Sequence, residues 1–234
     1  MTAMTRNLSE IRGSLSEALR GDGILDLYAV ECDGENNILG VTADVTPLWQ
    51  LLEARQRRGT GVPVDLGLSV LWSSRNVGAM SGEQPGLYVG WADPSGQKTS
   101  TAPDDYPDDN PPENISGTED DIARERWAET WRIPTKAEME ELRQQCQWYW
   151  TAINGIPGFQ VIGHTGNSIF LPAAGSRFGT DYEDSWYYGR YWTSELYDKE
   201  PRRAYLLEFS IQGAEIITMA RHIGMNIRPV LDKE

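Results

Sequence analysis

The sequence predicts an α+β fold in which a small helical unit precedes a larger one built of short antiparallel strands and long loops. Helical periodicity marks only three stretches, near Leu8 to Leu19, Thr46 to Arg58 and Thr135 to Cys146. From Val62 onward, short strand-like segments alternate with glycine-rich turns dense in Trp and Tyr. The 234 residues include 23 Gly and 13 Pro, yet 39% are hydrophobic, which is enough to bury a core and argues against disorder.

The first 60 residues read as a unit of their own. Leu8, Ile11, Leu15, Ala18 and Leu19 recur at helical spacing, Ser14 and Glu17 stand at capping-box spacing, and Gly21 supplies a stop. Ile24 to Glu31 alternates in places, and Asp33-Gly34 ahead of Ile38-Leu39-Gly40-Val41 signals a hairpin. Thr46-Pro47 starts a second helix as N-cap and first helical residue, with Leu48, Leu51 and Leu52 on its apolar face. This helix, hairpin and helix unit is too small for a comfortable core of its own, so it is expected to anchor or oligomerise the chain. Gly59-Thr-Gly61 is the expected joint, and residues 62–234 form the second domain.

In that domain Thr135 precedes Glu138 at capping-box spacing, and Met139, Leu142 and Cys146 follow at i, i+3 and i+7. Cys146 therefore reads as a core residue and not as a nucleophile, which would need a cationic, partly exposed setting. Phe159 to Ile162, Ser168 to Leu171, Ala204 to Phe209 and Glu215 to Met219 are strand-like. Between Pro103 and Asp121 there are eight acids, no base and four prolines, the composition of a solvated loop. Asp104, Asp105, Asp108 and Asp109 lack EF-hand spacing, and the charged-loop reading is preferred to a cation site.

Charge and composition exclude several functions. Lys and Arg number 21 against 35 Asp and Glu, a formal charge of −14. Phosphate backbones and anionic leaflets are repelled by such a surface, so neither nucleic acid nor membrane insertion is expected. No apolar run approaches the roughly 18 residues that span a bilayer. Met1 to Arg20 contains no apolar stretch of secretory-signal length, which leaves localisation open between a virion or cytoplasm and a cell surface reached with a leader. Cys32 and Cys146 suggest no disulfide framework, and His164 and His222 have no thiol at zinc-ligand spacing, so no metal or cofactor is expected.

Five motifs then occur in order. They are Val64-Asp-Leu-Gly-Leu68 with Leu71-Trp72 and Asn76-Val-Gly78; Trp131-Arg132 with Pro134-Thr135 and Glu138; Asn167 through Gly175 with Arg177 and Gly179; Gly189 with Tyr191-Trp192-Thr193-Ser194; and Gly224 with Arg228-Pro229-Val230. Together they resemble the Fibrobacter succinogenes major paralogous domain common in Bacteroidetes, part of the C-type-lectin-like and sulfatase-modifying-factor-like (formylglycine-generating-enzyme-like) class, over roughly Val62 to Leu231. The resemblance implies a mostly irregular domain with two helices whose first and last strands pair, here Val64 to Trp72 with Asn226 to Leu231. That class includes the variable proteins of diversity-generating retroelements, which display mutagenised residues on a lectin-like scaffold, and the favoured expectation is that this chain is such a protein, borne on a prophage.

The residues do not support catalysis. A sulfatase-modifying activity needs a cysteine pair late in the domain, and none follows Cys146. Neither histidine stands in a nucleophile-elbow context. Glu200-Pro-Arg202 resembles a sugar-binding lectin tripeptide, but arginine does not ligate calcium. The chain is therefore read as a non-enzymatic binding protein.

Asp181 to Asp198 carries the binding expectation. Seven of the sixteen residues from Tyr182 to Tyr197 are Tyr or Trp, against 10% aromatic overall. Tyr191 and Trp192 belong to the scaffold motif, whereas the others sit among Asp, Glu, Gly and Arg without strand or helix period, the composition of a paratope. Asp181, Tyr182, Asp184, Trp186, Tyr187, Tyr188, Arg190, Glu195 and Tyr197 are the candidate ligand-binding residues, joined by Ile217, Arg221 and His222 from a second loop before Gly224. Adenine-directed change of an AAC codon reaches Tyr, Asp, Ser, Arg and His but never Trp, Glu or Met, so Trp186, Glu183 and Met219 would be invariant in a diversified protein. The expected ligand is a protein or glycan on another surface. An undiversified adhesin or pilus-associated protein is the alternative, followed by a metal-dependent or hydrolytic enzyme using the acidic loop.

Overall fold

The chain divides into two units, Met1–Arg57 and Arg58–Glu234. The computed structural model describes residues 28–32, 38–43, 59–96, 106, 111–127 and 130–233. In the first unit, strands β1 (Tyr28–Cys32) and β2 (Ile38–Ala43) pair antiparallel, with Tyr28 opposite Ala43, around the Asp33-Gly34 hairpin signal. The helices expected near Leu8 to Leu19 and from Thr46 lie outside the described residues, as do Asp104, Asp105, Asp108 and Asp109.

The second unit is α+β and strand-rich, with several small antiparallel sheets and two helices among the described residues. Strands β3 (Pro63–Val64), β4 (Val70–Ser73), β5 (Trp131–Arg132) and β14 (Val230–Asp232) form one sheet in the order β3-β4-β14-β5. Val230 lies opposite Trp72 and Leu231 opposite Leu71, so the two ends of the unit pair as expected, over fewer residues than the motif suggests. Strands β6 (Gln147–Ile153), β7 (Ile156–Ile162) and β8 (Ser168–Pro172) form a meander. Strands β11 (Gly189–Leu196), β12 (Arg203–Ser210) and β13 (Gly213–Ala220) form another. Between them, β9 (Ser176–Phe178) and β10 (Asp181–Glu183) make a short hairpin.

Helix α2 (Lys136–Gln145) starts as its sequence dictates. Thr135 accepts from the Glu138 amide, and the Glu138 carboxylate accepts from the Thr135 amide at 2.7 Å, a reciprocal capping box. Met139 and Leu142 are buried, while Cys146 is the half-buried C-cap. Burial pushes the Cys146 thiol up to about 11, so it is not poised as a thiolate.

Helix α1 (Ile122–Trp127) escapes periodicity because six residues give no repeat. Its cap also corrects the reading of the acidic segment. Asp121 is fully buried, with one oxygen accepting from Ala123 and Arg124 and the other from Gly117 and Ile133. Burial raises its carboxyl above the ordinary range despite those four amides. The segment from Pro103 thus ends in a core residue and not in a solvated charge.

Five strands of the second unit, β5, β6, β9, β10 and β11, were not expected. Strand β6 joins β7 through Asn154-Gly155, whose φ values of 52° and 81° make the two-residue primed turn that Asn-Gly favours. Strands β10 and β11 occupy most of the region expected as an exposed loop, which shrinks to residues 184–188. The sheet β11-β12-β13 is the reason. Both of its faces are covered, so adjacent residues are buried alternately in different cores and the polar/apolar alternation disappears. Tyr191, Leu207 and Phe209 pack with Trp72, Leu142 and Val161, while Trp192, Ala204 and Leu206 pack with Trp91, Ile122 and Ile227.

A buried polar network links four of the five motifs. Arg228, with no exposure, donates to the Asn76 side-chain oxygen at 2.7 Å and to the carbonyls of Phe170 at 2.7 Å and Ser73 at 3.1 Å. Burial pulls its guanidinium down to about 10. Asn76 in turn lies 3.4 Å from the Tyr191 hydroxyl, which donates to Pro172 at 2.9 Å. Carbonyl dipoles thus solvate this cation among the residues that join the sheets.

Candidate functional site

Exposed aromatic side chains gather at the start of β11. Tyr182 is 61% exposed, Trp186 49%, Tyr187 72% and Tyr188 37%. Phe178, at 48%, joins them from β9 and was missed because its neighbours Arg177 and Gly179 read as scaffold.

Backbone contacts hold this surface in place. The Asp184 carbonyl accepts from the amides of Tyr187 and Tyr188, both at 3.1 Å, making one tight turn. Trp186 donates to the Ala173 carbonyl at 2.7 Å, and Gly175 donates to Tyr188 at 2.7 Å. Gly175 has φ of 71°, and a Cβ there would lie 2.1 Å from the Glu183 carbonyl, so only glycine lets the loop cross at this point. Asp184 and Trp186 take φ of 56° and 75°. For a bulky Trp this costs on the order of 1–3 kcal/mol, which the surrounding bonds must offset.

The second loop is brought alongside. Arg177 and Gly224 exchange two amide bonds of 2.8 Å, which lays residues 222–225 against β9. His222 consequently meets Phe178 edge-on at 5.7 Å, and burial lowers its pKa. Tyr88 meets Tyr182 edge-on at 5.1 Å and donates its hydroxyl to Ala174 at 2.7 Å. The register places Tyr182 and Arg177 on one face of the hairpin, with Phe178, Asp181 and Glu183 on the other. All three β10 side chains are exposed.

Other candidates lie elsewhere. Arg190 is 8% exposed, bonded to Glu208 at 2.6 Å, Asp184 at 2.8 Å and Ser176 at 3.0 Å, with the Tyr188 ring 5.0 Å away. It braces the loop from beneath, whereas the loop reading expected it on the surface. Arg221 is 4% exposed beside Trp91, its guanidinium carbon 5.8 Å from the ring. Ile217 is partly buried against the Trp192 core, opposite Leu206. Glu195 accepts from the Lys136 amide at 2.6 Å and so supports the start of α2. Tyr197, edge-on to Tyr205 at 5.4 Å, follows the far end of β11, roughly 25 Å from its start for an eight-residue strand.

Trp186, Tyr187 and Tyr188 thus share the turn that Asp184 begins, Phe178 meets His222 on the hairpin face that also carries Asp181, and Tyr182 meets Tyr88 on the opposite face. Arg190, Glu195, Tyr197, Ile217 and Arg221 serve the framework. A crevice lined by Val89, Trp91, Trp192 and Ile227 has no room for one water molecule. Among the described residues no three His, Cys, Asp or Glu side chains converge as a metal site requires, and no helix is long and apolar enough to cross a membrane. No family model, curated protein or solved structure matches this chain.

Proposed function

We propose that this chain is a non-enzymatic recognition protein, a C-type-lectin-like scaffold displaying a variable surface of the diversity-generating-retroelement type for a macromolecular ligand. The carrying observation is the group of exposed aromatic side chains, Trp186, Tyr187 and Tyr188 on a turn with a left-handed Trp, and Tyr182 and Phe178 on the adjoining hairpin. Rigid amphipathic rings on a fixed loop supply contact area at low entropy cost. Such exposed rings suit a macromolecule better than a small molecule, which takes a concave pocket. Residues 1–60 anchor or oligomerise the displayed domain.

Sibling sequences test the reading. Variation is expected to concentrate at Tyr182, Tyr187, Tyr188 and His222, with Arg190 and Arg221 constant because each is buried. An encoding DNA region with a near-copy differing at adenines beside a reverse-transcriptase gene completes the case. Siblings varying uniformly, with no such copy, would reject diversification and leave an undiversified adhesin.

A further inference from the structure

We propose that the aromatic surface recognises a cationic protein segment, one presenting exposed arginine or lysine side chains. This rests on the recognition reading above and adds the chemistry of the partner. Exposed carboxylates lie beside the rings: Asp181 and Glu183 share the hairpin face of Phe178, whereas Asp184, which begins the turn carrying Trp186 and Tyr187, is paired with Arg190.

Nearby cations do not neutralise Asp181 and Glu183. Arg190 is buried and already paired with Glu208 and Asp184. Arg177 shares the opposite face with Tyr182. Burial keeps His222 toward its neutral form. Aromatic faces attract cations, and arginine stacks on them while its guanidinium pairs with carboxylates, so one partner group satisfies both parts of the surface. The formal charge of −14 adds long-range attraction for such a partner and repels an acidic one.

The test titrates the full chain by calorimetry with three synthetic peptides that are identical except for alternating Arg, Gln or Glu. The Arg peptide should bind about tenfold tighter than the Gln peptide, the combined scale of exposed ion pairs and cation–π contacts. That advantage should shrink several-fold in Asp181→Asn/Glu183→Gln and at about 0.5 M salt, where screening is strong. Both substituted side chains are exposed, and unchanged melting of the double variant checks folding. Equal affinities, undetectable binding of the Arg peptide, or an undiminished advantage in the double variant would each overturn the inference, the last by pointing to general attraction to an acidic chain. Tighter binding of arrayed oligosaccharides than of the Arg peptide also overturns it, while leaving the recognition reading intact. Arg-peptide binding unchanged by Trp186→Ala and Tyr187→Ala would instead remove the surface reading itself.

Discussion

Replacing Trp192 and Tyr187 separately by Ala tests whether the aromatic excess divides between framework and surface. Trp192 has no exposure and packs with Trp91, Ile115 and Ile227, whereas Tyr187 is 72% exposed. A buried Trp covers roughly 150–250 Å², worth about 4–6 kcal/mol at about 25 cal/mol per Å². Its indole N–H also donates to the Val89 carbonyl at 3.0 Å. That carbonyl keeps a second donor, the Met225 amide at 3.0 Å, so losing the indole bond adds only about 1 kcal/mol. Trp192→Ala should therefore cost about 5 kcal/mol and lower Tm by roughly 10–20 °C. Tyr187→Ala should cost about 1 kcal/mol or less, a fall of no more than roughly 4 °C. Differential scanning calorimetry of parent and variants measures both. Equal falls, or a Trp192→Ala fall of no more than about 4 °C, would refute the division.

Three further outcomes follow from the same contacts. Arg228→Lys should destabilise the unit by at least about 3 kcal/mol in urea titration, because one ammonium cannot replace the planar guanidinium among Asn76, Ser73 and Phe170; parent-like stability would mean that the network contributes little. Burial would raise the Glu138 carboxyl, but Arg132 at 2.6 Å and the Thr135 amide together hold it below its ordinary value. A depressed carboxyl contributes stability that is present above its unfolded value and lost as pH falls through the folded one, so Glu138→Gln should flatten the decline in Tm below about pH 4.5. An unchanged acid limb would count against that pairing. Gly175→Ala should displace the loop over Glu183 and weaken ligand binding while most of the melting cooperativity remains, and unaltered binding would show that the loop tolerates the shift.

The α2 capping box, the β1–β2 pair and four strands were readable because each rests on neighbours in sequence or on a strong apolar run, whereas the pairing of the second unit's first and last strands was expected only from the family resemblance. Helix α1 was not, since its start depends on Asp121 gathering amides as distant as Ile133. At the surface, composition alone located Tyr182 and Trp186 to Tyr188, because exposed rings among acids and glycine have few structural causes. Composition could not separate Arg190 and Arg221 from them, since an arginine reads the same whether solvated or braced by carboxylates.

The sequence by itself determined an α+β chain of two units, the capped helix and an aromatic-rich segment, because capping, turn chemistry and residue size act over a few positions. Only the tertiary structure decided which aromatics are framework and which are surface. Tyr191 and Trp192 disappear into opposite cores because their sheet is covered on both faces, while Phe178 and His222 emerge together because Arg177 pairs with Gly224 across 47 positions of chain. Burial is a property of what packs from elsewhere, and no local pattern encodes it.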